Sequence, residues 1–384
     1  MEATHQLEHD NGDTASTIGP VSDVNEIEDV IEEDVSVSHE YDITSFGADY
    51  PVDALVRRIE NGDIVVPTFA DYSSDDAQII GFQRNYVWKK PTADRFIESL
   101  LLGLPVPGIF LVQDKNDRLL VLDGQQRLRT LQKFYSEAGP NQKKYQLRKV
   151  HDKFKDKSYG DLDPGDRRRL DNSIIHATVV RQIRPTDDQS SIYDIFERLN
   201  TGGMNLQPQE IRVALYYGEL AQMLSELNED PNWRFLYGRK SLRLKDLEMI
   251  LRFFAFYYSG DKYSIPMKDF LNRYMSENRN LGCQNKDELK GVFCKTTSFL
   301  KNYVGDQAFK PLGSLNAAVL DSVMTGVAKR IERGPIENCD EVKNKLWSLF
   351  KNNAYLEAVK TGTSEENKVR RRQKLALEAF ADIQ

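Results

Sequence analysis

Residues Pro91–Tyr135 read "PTADRFIESLLLGLPVPGIFLVQDKNDRLLVLDGQQRLRTLQKFY", and the order of elements within this stretch decides the fold. Pro91 suits a helix N-terminus, where its missing N–H loses no hydrogen bond. Phe96, Ile97, Leu100 and Leu101 recur at helical spacing, and Gly103 stops the run. "PGIFLVQ" and "RLLVLD" are two strands joined through "DKND", and from Gln125 onward the pattern is helical again. The order is helix, hairpin, helix.

Upstream, "PVDALVRRIENGDIVVP" predicts a short amphipathic helix with Leu55, Val56 and Ile59 inward. A turn at Asn61-Gly62 and a strand from Ile64 to Val66 follow it. "GFQRNYVW" is strand-like and ends in aromatics. Downstream, a charged excursion between Tyr135 and Ser173 contains the basic cluster "DRRRL" at Asp166 to Leu170. "IIHATVVRQI" reads as a buried strand, with His176 a satisfied core residue. In "IYDIFERLNTGGMNLQPQEIRVALYYGEL", a helix with Ile192, Ile195, Phe196 and Leu199 on one side reaches a loop at Asn200 to Gly203. A second helix starts near Gln207 and Pro208. Beyond about residue 215 only helical periodicity is visible, as in "LKDLEMILRFFAFYY" and "LNAAVLDSVMTGVAKRI", and there is no internal repeat.

The whole chain of 384 residues is long enough for two domains with their own cores. Residues 1–40 hold 12 of the 59 acids and no Lys or Arg, so the remaining 47 acids face 52 bases and leave a net charge of +5. That tail is too charged and too poor in aromatics to build a core, and it reads as disordered. It is a solubilising leader or a mimic of polyanionic nucleic acid that covers the protein's own basic surface. Cys283, Cys294 and Cys339 are odd in number and lack CxxC spacing, against both a disulfide framework and a cysteine-rich zinc site. They read as buried small hydrophobes. With no stretch approaching the roughly 20 apolar residues of a membrane span and no signal-peptide pattern, the expectation is a cytoplasmic protein with no membrane partner. The expected organisation is a disordered acidic tail at 1–40, an α+β domain at 41–215 and an all-helical domain at 216–384.

The chemistry concentrates at "LDGQQR". A helix N-terminus presents unpaired N–H groups and partial positive charge, and a glycine ahead of it lets a phosphate approach the main chain. Gly124 and the amides after it therefore suit an anion. Arg127 and Arg129 add charge-assisted donors, while Gln125 and Gln126 donate without adding charge. Asp123 would repel phosphate, so it serves as a magnesium ligand, a base that orients water, an acceptor for a sugar hydroxyl, or simply the N-cap of the helix. "FQRNYVW" places Gln83 and Arg84 between aromatics, and "ERLNTGG" places Asn200 in a glycine-flexible loop.

Taken in order, "FQRNYVW", "FIESLLLGLPVPGIFL", "LVLDGQQRLRTL" and "FERLNTGGMNLQPQEIR" closely resemble the GmrSD restriction endonuclease N-terminal domain family, over about Phe46 to Tyr217. That family looks like a relative of the ParB and sulfiredoxin fold. The resemblance implies a ParB/sulfiredoxin-like N-terminal domain followed by an all-helical C-terminal one. It also implies a nucleoside triphosphate (ATP, GTP or CTP) and service in defence against phage or modified DNA; magnesium is expected with the nucleotide from the chemistry of phosphoryl transfer. By the same resemblance Asp123, Gly124, Gln125, Gln126 and Arg127 hold the nucleotide and support its hydrolysis; the candidate metal ligand, from its chemistry alone, is Asp123. Gln83 and Arg84 add polar contacts, and Asn200, Thr201, Gly202 and Gly203 form the pocket's rim. Ile97, Leu100 and Pro105 pack.

Many multidomain relatives carry a C-terminal HNH nuclease, which needs histidines. All five histidines here, His5, His9, His39, His151 and His176, lie at or before residue 176, so that kind of nuclease is not expected. No Walker A lysine motif is present either. Two functions compete. One is a nucleotide-hydrolysing regulator that works with a separate nuclease or effector protein, as a monomer or an oligomer. The other is a DNA-binding or protein-interaction module without turnover, its phosphate contacts made by Arg167, Arg168, Arg169 and by Arg370, Arg371 and Arg372 in "KVRRRQK".

Overall fold

The structure is a computed structural model that describes residues 42–66, 88–113, 117–136, 144–184, 192–195, 207–241, 243–311 and 313–383. Five strands form one mixed sheet: β1 (Asp42–Pro51), β2 (Ile64–Val65), β3 (Ile109–Gln113), β4 (Leu119–Asp123) and β5 (Ile174–Arg184), in the order β1-β5-β3-β4-β2. β1 runs antiparallel to β5, β5 parallel to β3, β3 antiparallel to β4, and β4 parallel to β2. The hairpin of β3 and β4 that the sequence predicts is thus the centre of the sheet, with Phe110 opposite Asp123.

One face of the sheet carries Ile109, Leu111, Val121, Ile175, Ala177 and Val179. They share a core with α1 (Val52–Glu60), α2 (Lys90–Leu101), α3 (Gln125–Tyr135) and α4 (Pro164–Asp171). Because side chains alternate along a strand, Val112, Leu122 and Val180 face the other way. They enter a second core with α5 (Pro208–Leu215) through α14 (Glu366–Ala381) and with Ile192 and Tyr193. Within that set the helices used below are α8 (Lys245–Ser259), α9 (Met267–Glu277), α10 (Lys286–Tyr303) and α11 (Ala317–Glu332). The α+β class is as expected, with helices alone after β5 among the described residues. The two cores share the sheet as a common wall, and Ile211, Val213 and Leu215 of α5 already belong to the second core. No helix among the described residues is long and apolar enough to cross a membrane.

Two sequence expectations need correction. His176 is not a core residue: its ring is 76% exposed and its Nδ1 contacts the Asp49 carboxylate across the β1–β5 pairing. Ile175 and Ala177 take the inward positions on either side of it, and the alternation of the strand sends His176 outward. A side-chain contact this exposed contributes little, so His176→Ala should shift unfolding free energy by less than about 0.5 kcal/mol; urea denaturation measures it, and a larger loss would contradict the exposed placement. Cys283 is not buried either, since it lies exposed in the turn between α9 and α10, while Cys294 and Cys339 are half-buried and all three are free thiols.

Candidate functional site at the strand-to-helix turn

β4 ends at Asp123, Gly124 makes the turn, and α3 starts at Gln125. Gly124 sits at φ +99°, a left-handed conformation that a side chain resists. A β-carbon built there would lie 2.4 Å from Cγ2 of Ile109, which is buried in the first strand of the hairpin. The glycine is therefore required twice, for the turn and for the close approach of the main chain to β3. Gly124, not Asp123, is the N-cap residue, and among the described residues no side chain caps the helix. Simple capping by Asp123 is therefore not what the geometry displays.

The Asp123 carboxylate instead accepts a 2.7 Å hydrogen bond from Nη2 of Arg127, one turn along α3. Nη1 of the same guanidinium donates to the Pro107 carbonyl at 3.2 Å. The two partners differ in access: the Asp123 side chain is 60% exposed and that of Arg127 only 11%. A guanidinium has five N–H donors, and these contacts leave donors in reserve on a side chain held in place at both ends. An exposed carboxylate fixed beside a sheltered cation and the amides of a helix N-terminus can bind an oxyanion and orient a polar group next to it.

Arg129 does not join them. Its Nη2 donates to the Val66 carbonyl at 2.8 Å and its Nη1 to Oε1 of Gln132 at 3.3 Å, and burial pushes its pKa down to about 10. Residues two apart on a helix point to nearly opposite sides, so Arg127 and Arg129 cannot serve one anion. Arg129 fastens α3 to the end of β2. Gln126 has a positioning contact of its own, because its Oε1 accepts the Trp88 backbone N–H at 3.4 Å. Trp88 closes the "FQRNYVW" segment, so that segment's end is brought to the first turn of α3. Gln125 is partly exposed beside it.

Gln83, Arg84, Asn200, Thr201, Gly202 and Gly203 lie outside the described residues. Among the described residues no cluster of three or more His, Cys, Asp or Glu side chains is arranged to hold a metal. Asp123 is a single carboxylate with one oxygen engaged by Arg127. That suits magnesium, which is usually held by one or two carboxylates and otherwise by water and phosphate. Two partners were missed by the sequence reading. The Pro107 carbonyl is a backbone group with no residue-type signal, and Ile109 is indistinguishable in sequence from any other core position.

The arginine runs divide. Arg167 donates to the Gly160 carbonyl at 2.7 Å and lies over the Tyr159 ring, and Arg169 reaches the Leu101 carbonyl at 3.4 Å, while Arg168 and Arg169 are exposed. Arg370 and Arg371 are exposed on α14, whereas Arg372 is completely buried and paired with Asp321. Arg372 is therefore part of the interior and cannot reach DNA from this position.

No curated protein and no solved structure matches this chain. A family model does match, starting at residue 61, later than the Phe46 read from the motifs, and ending at residue 217, where the motifs also end. Residues 61–217 thus match the family described as GmrSD restriction endonuclease, N-terminal domain.

Proposed function

We propose that this chain is a nucleoside-triphosphate-binding and hydrolysing regulator in a phage-defence or modification-dependent DNA restriction system. The single observation that carries the reading is the Asp123–Gly124–Arg127 turn: a glycine-only approach to the helix amides, with a sheltered arginine and an exposed carboxylate fixed to each other. The family of residues 61–217 supports the restriction context. In this reading the amides of α3 and the spare donors of Arg127 take the phosphate oxygens. Asp123 keeps one oxygen on Arg127 and offers the other to magnesium or to the attacking water. Magnesium, bound with the nucleotide, would neutralise charge on the phosphates. Phosphoryl transfer asks chiefly for positioning and charge stabilisation, which a guanidinium anchored on Pro107 and Asp123 supplies without reorganising.

The test is nucleotide binding and hydrolysis with ATP, GTP and CTP plus magnesium, in wild type, Asp123→Ala and Arg127→Ala. Arg127→Ala should weaken binding roughly tenfold or more, the usual worth of charge-assisted hydrogen bonds. Asp123→Ala should bind nucleotide but turn it over more slowly. Absence of nucleotide binding by the wild type rejects the proposal. Equal effects of both substitutions on binding alone would reduce Asp123 to a support for Arg127.

A further inference from the structure

The charged excursion after α3 is a more deliberate structure than its composition suggests. Residues 144–157 contain Lys144, Arg148, Lys149, Lys153, Lys155 and Lys157 against Asp152 and Asp156, a net +4 in one surface loop. The loop is closed on itself by Leu147 N–H to the Lys157 carbonyl at 3.0 Å and Asp156 N–H to the Leu147 carbonyl at 2.6 Å. Leu147 and Phe154 plug it into the first core.

Its backbone is then pinned from below by carboxylates. Asp94 of α2 is completely buried, and its Oδ2 accepts the N–H groups of Arg148 at 3.0 Å and Lys149 at 3.4 Å. Its Oδ1 takes Nζ of Lys90 at 2.6 Å and the Tyr145 hydroxyl at 2.9 Å. Glu98 accepts the His151 N–H at 2.6 Å. Lys153 pairs with the buried Asp166 of α4 at 2.6 Å, which ties the loop to the helix bearing Arg168 and Arg169. Two acidic side chains are thus spent on fixing the main chain at Arg148, Lys149 and His151, while the side chains of Arg148, Lys149 and Lys155 remain exposed. Among the described residues these three have no ion-pair partner.

A loop held this firmly, with its cations left outward, is built to present positive charge at fixed positions. We propose that it binds the phosphate backbone of duplex DNA through Arg148, Lys149 and Lys155, flanked by Arg168 and Arg169 of α4. The aromatic side chains distinguish a duplex from a single strand. Proteins that hold single strands stack bases on exposed rings, but here Phe154 is buried, Tyr145 packs edge-on against Phe134, and Tyr159 stacks on Tyr135. Apart from the His151 ring, the exposed side chains of residues 144–157 are all charged, and phosphate contacts of that kind bind without regard to sequence. The surface differs from the nucleotide turn and does not depend on it.

The experiment is fluorescence anisotropy of a labelled DNA duplex titrated with the full chain, without nucleotide, between about 50 and 200 mM salt. The Arg148→Gln/Lys149→Gln/Lys155→Gln variant should weaken binding at least about tenfold at the low end and reduce the slope of log affinity against log salt by about 3, one for each contact. Arg370→Gln/Arg371→Gln, which neutralises the exposed pair on α14, should bind like wild type. Equal loss in both variants would mean diffuse attraction, unchanged binding in the loop variant would mean that DNA is held elsewhere, and no binding by the wild type would mean that the loop does not hold DNA; each of these results overturns the proposal. Thermal unfolding of the loop variant at the wild-type temperature shows that the loss is not one of folding, and Arg148→Lys, which keeps the charge, should retain binding.

Discussion

Asp321→Ala should unfold the second core at a markedly lower denaturant concentration, with a loss of about 3–5 kcal/mol, the usual consequence of removing one partner from a buried charge cluster. Asp321 on α11 is fully buried and receives four donors. Its Oδ1 accepts from Nε of Arg372 at 3.0 Å and Nε2 of Gln373 at 3.1 Å, and its Oδ2 from Nη2 of Arg372 at 2.9 Å and Nη2 of Arg252 at 3.0 Å. Three elements meet there, since Arg252 belongs to α8 and Arg372 to α14. Without the carboxylate, two buried guanidinium groups lose their shared anion, while Glu248, 4.0 Å from Arg252, and the Thr363 carbonyl, which Arg372 contacts, remain beside them. Removing the charges together is a different matter, because a well-packed apolar replacement of a buried ion cluster is often neutral. Asp321→Leu combined with Arg252→Met and Arg372→Met should therefore recover much of the loss. Urea unfolding of the two variants and wild type separates these cases. A loss below about 1 kcal/mol for Asp321→Ala would show that the cluster does not hold the three helices.

The same cluster explains what could and could not be read from the sequence. In "KVRRRQKLALEAF" the inward stripe of α14 is Val369, Arg372, Ala376 and Phe380, spaced at three and four residues. The helical period therefore already singles out Arg372 from its two neighbours, and reading the run as one basic patch overlooked it. The partner was not legible, because Asp321 lies 51 residues earlier and nothing local marks it. The hairpin of β3 and β4 and the helices flanking it were legible because periods of two and of about four residues are local properties. His176 was misread because a strand pattern assigns alternate faces without saying which positions on the second face a helix will cover. At the turn, Asp123, Gly124 and Arg127 were legible as chemistry. Pro107 and Ile109, which hold the arginine and close the floor, depend on the pairing of β3 with β4 and so on the fold itself.

The second large effect is expected at that floor. Gly124→Ala puts a β-carbon 2.4 Å from Cγ2 of buried Ile109, at a backbone φ of +99°. The left-handed conformation alone costs about 1–3 kcal/mol for a residue with a side chain, and overpacking against a strand that cannot yield adds about 1–3 kcal/mol. The strain has one outlet: the first turn of α3 swings away from β3, carrying Arg127 off the Pro107 carbonyl and separating it from Asp123. Thermal unfolding should therefore fall sharply, and nucleotide binding, if residues 123–127 form the pocket, should be lost with it. The two contributions separate in a cycle with Ile109→Ala, which removes the clashing methyl but leaves the backbone strain. The double variant should be less destabilised than the sum of the single ones, because the worst of the steric cost of Gly124→Ala is relieved once Cγ2 is gone, leaving a 3.0 Å approach to the β-carbon of residue 109. Strict additivity would assign the whole cost to the backbone conformation. Wild-type stability in Gly124→Ala would mean that β4 and α3 do not meet β3 through this glycine, and the anchored geometry of Arg127 would fall with it.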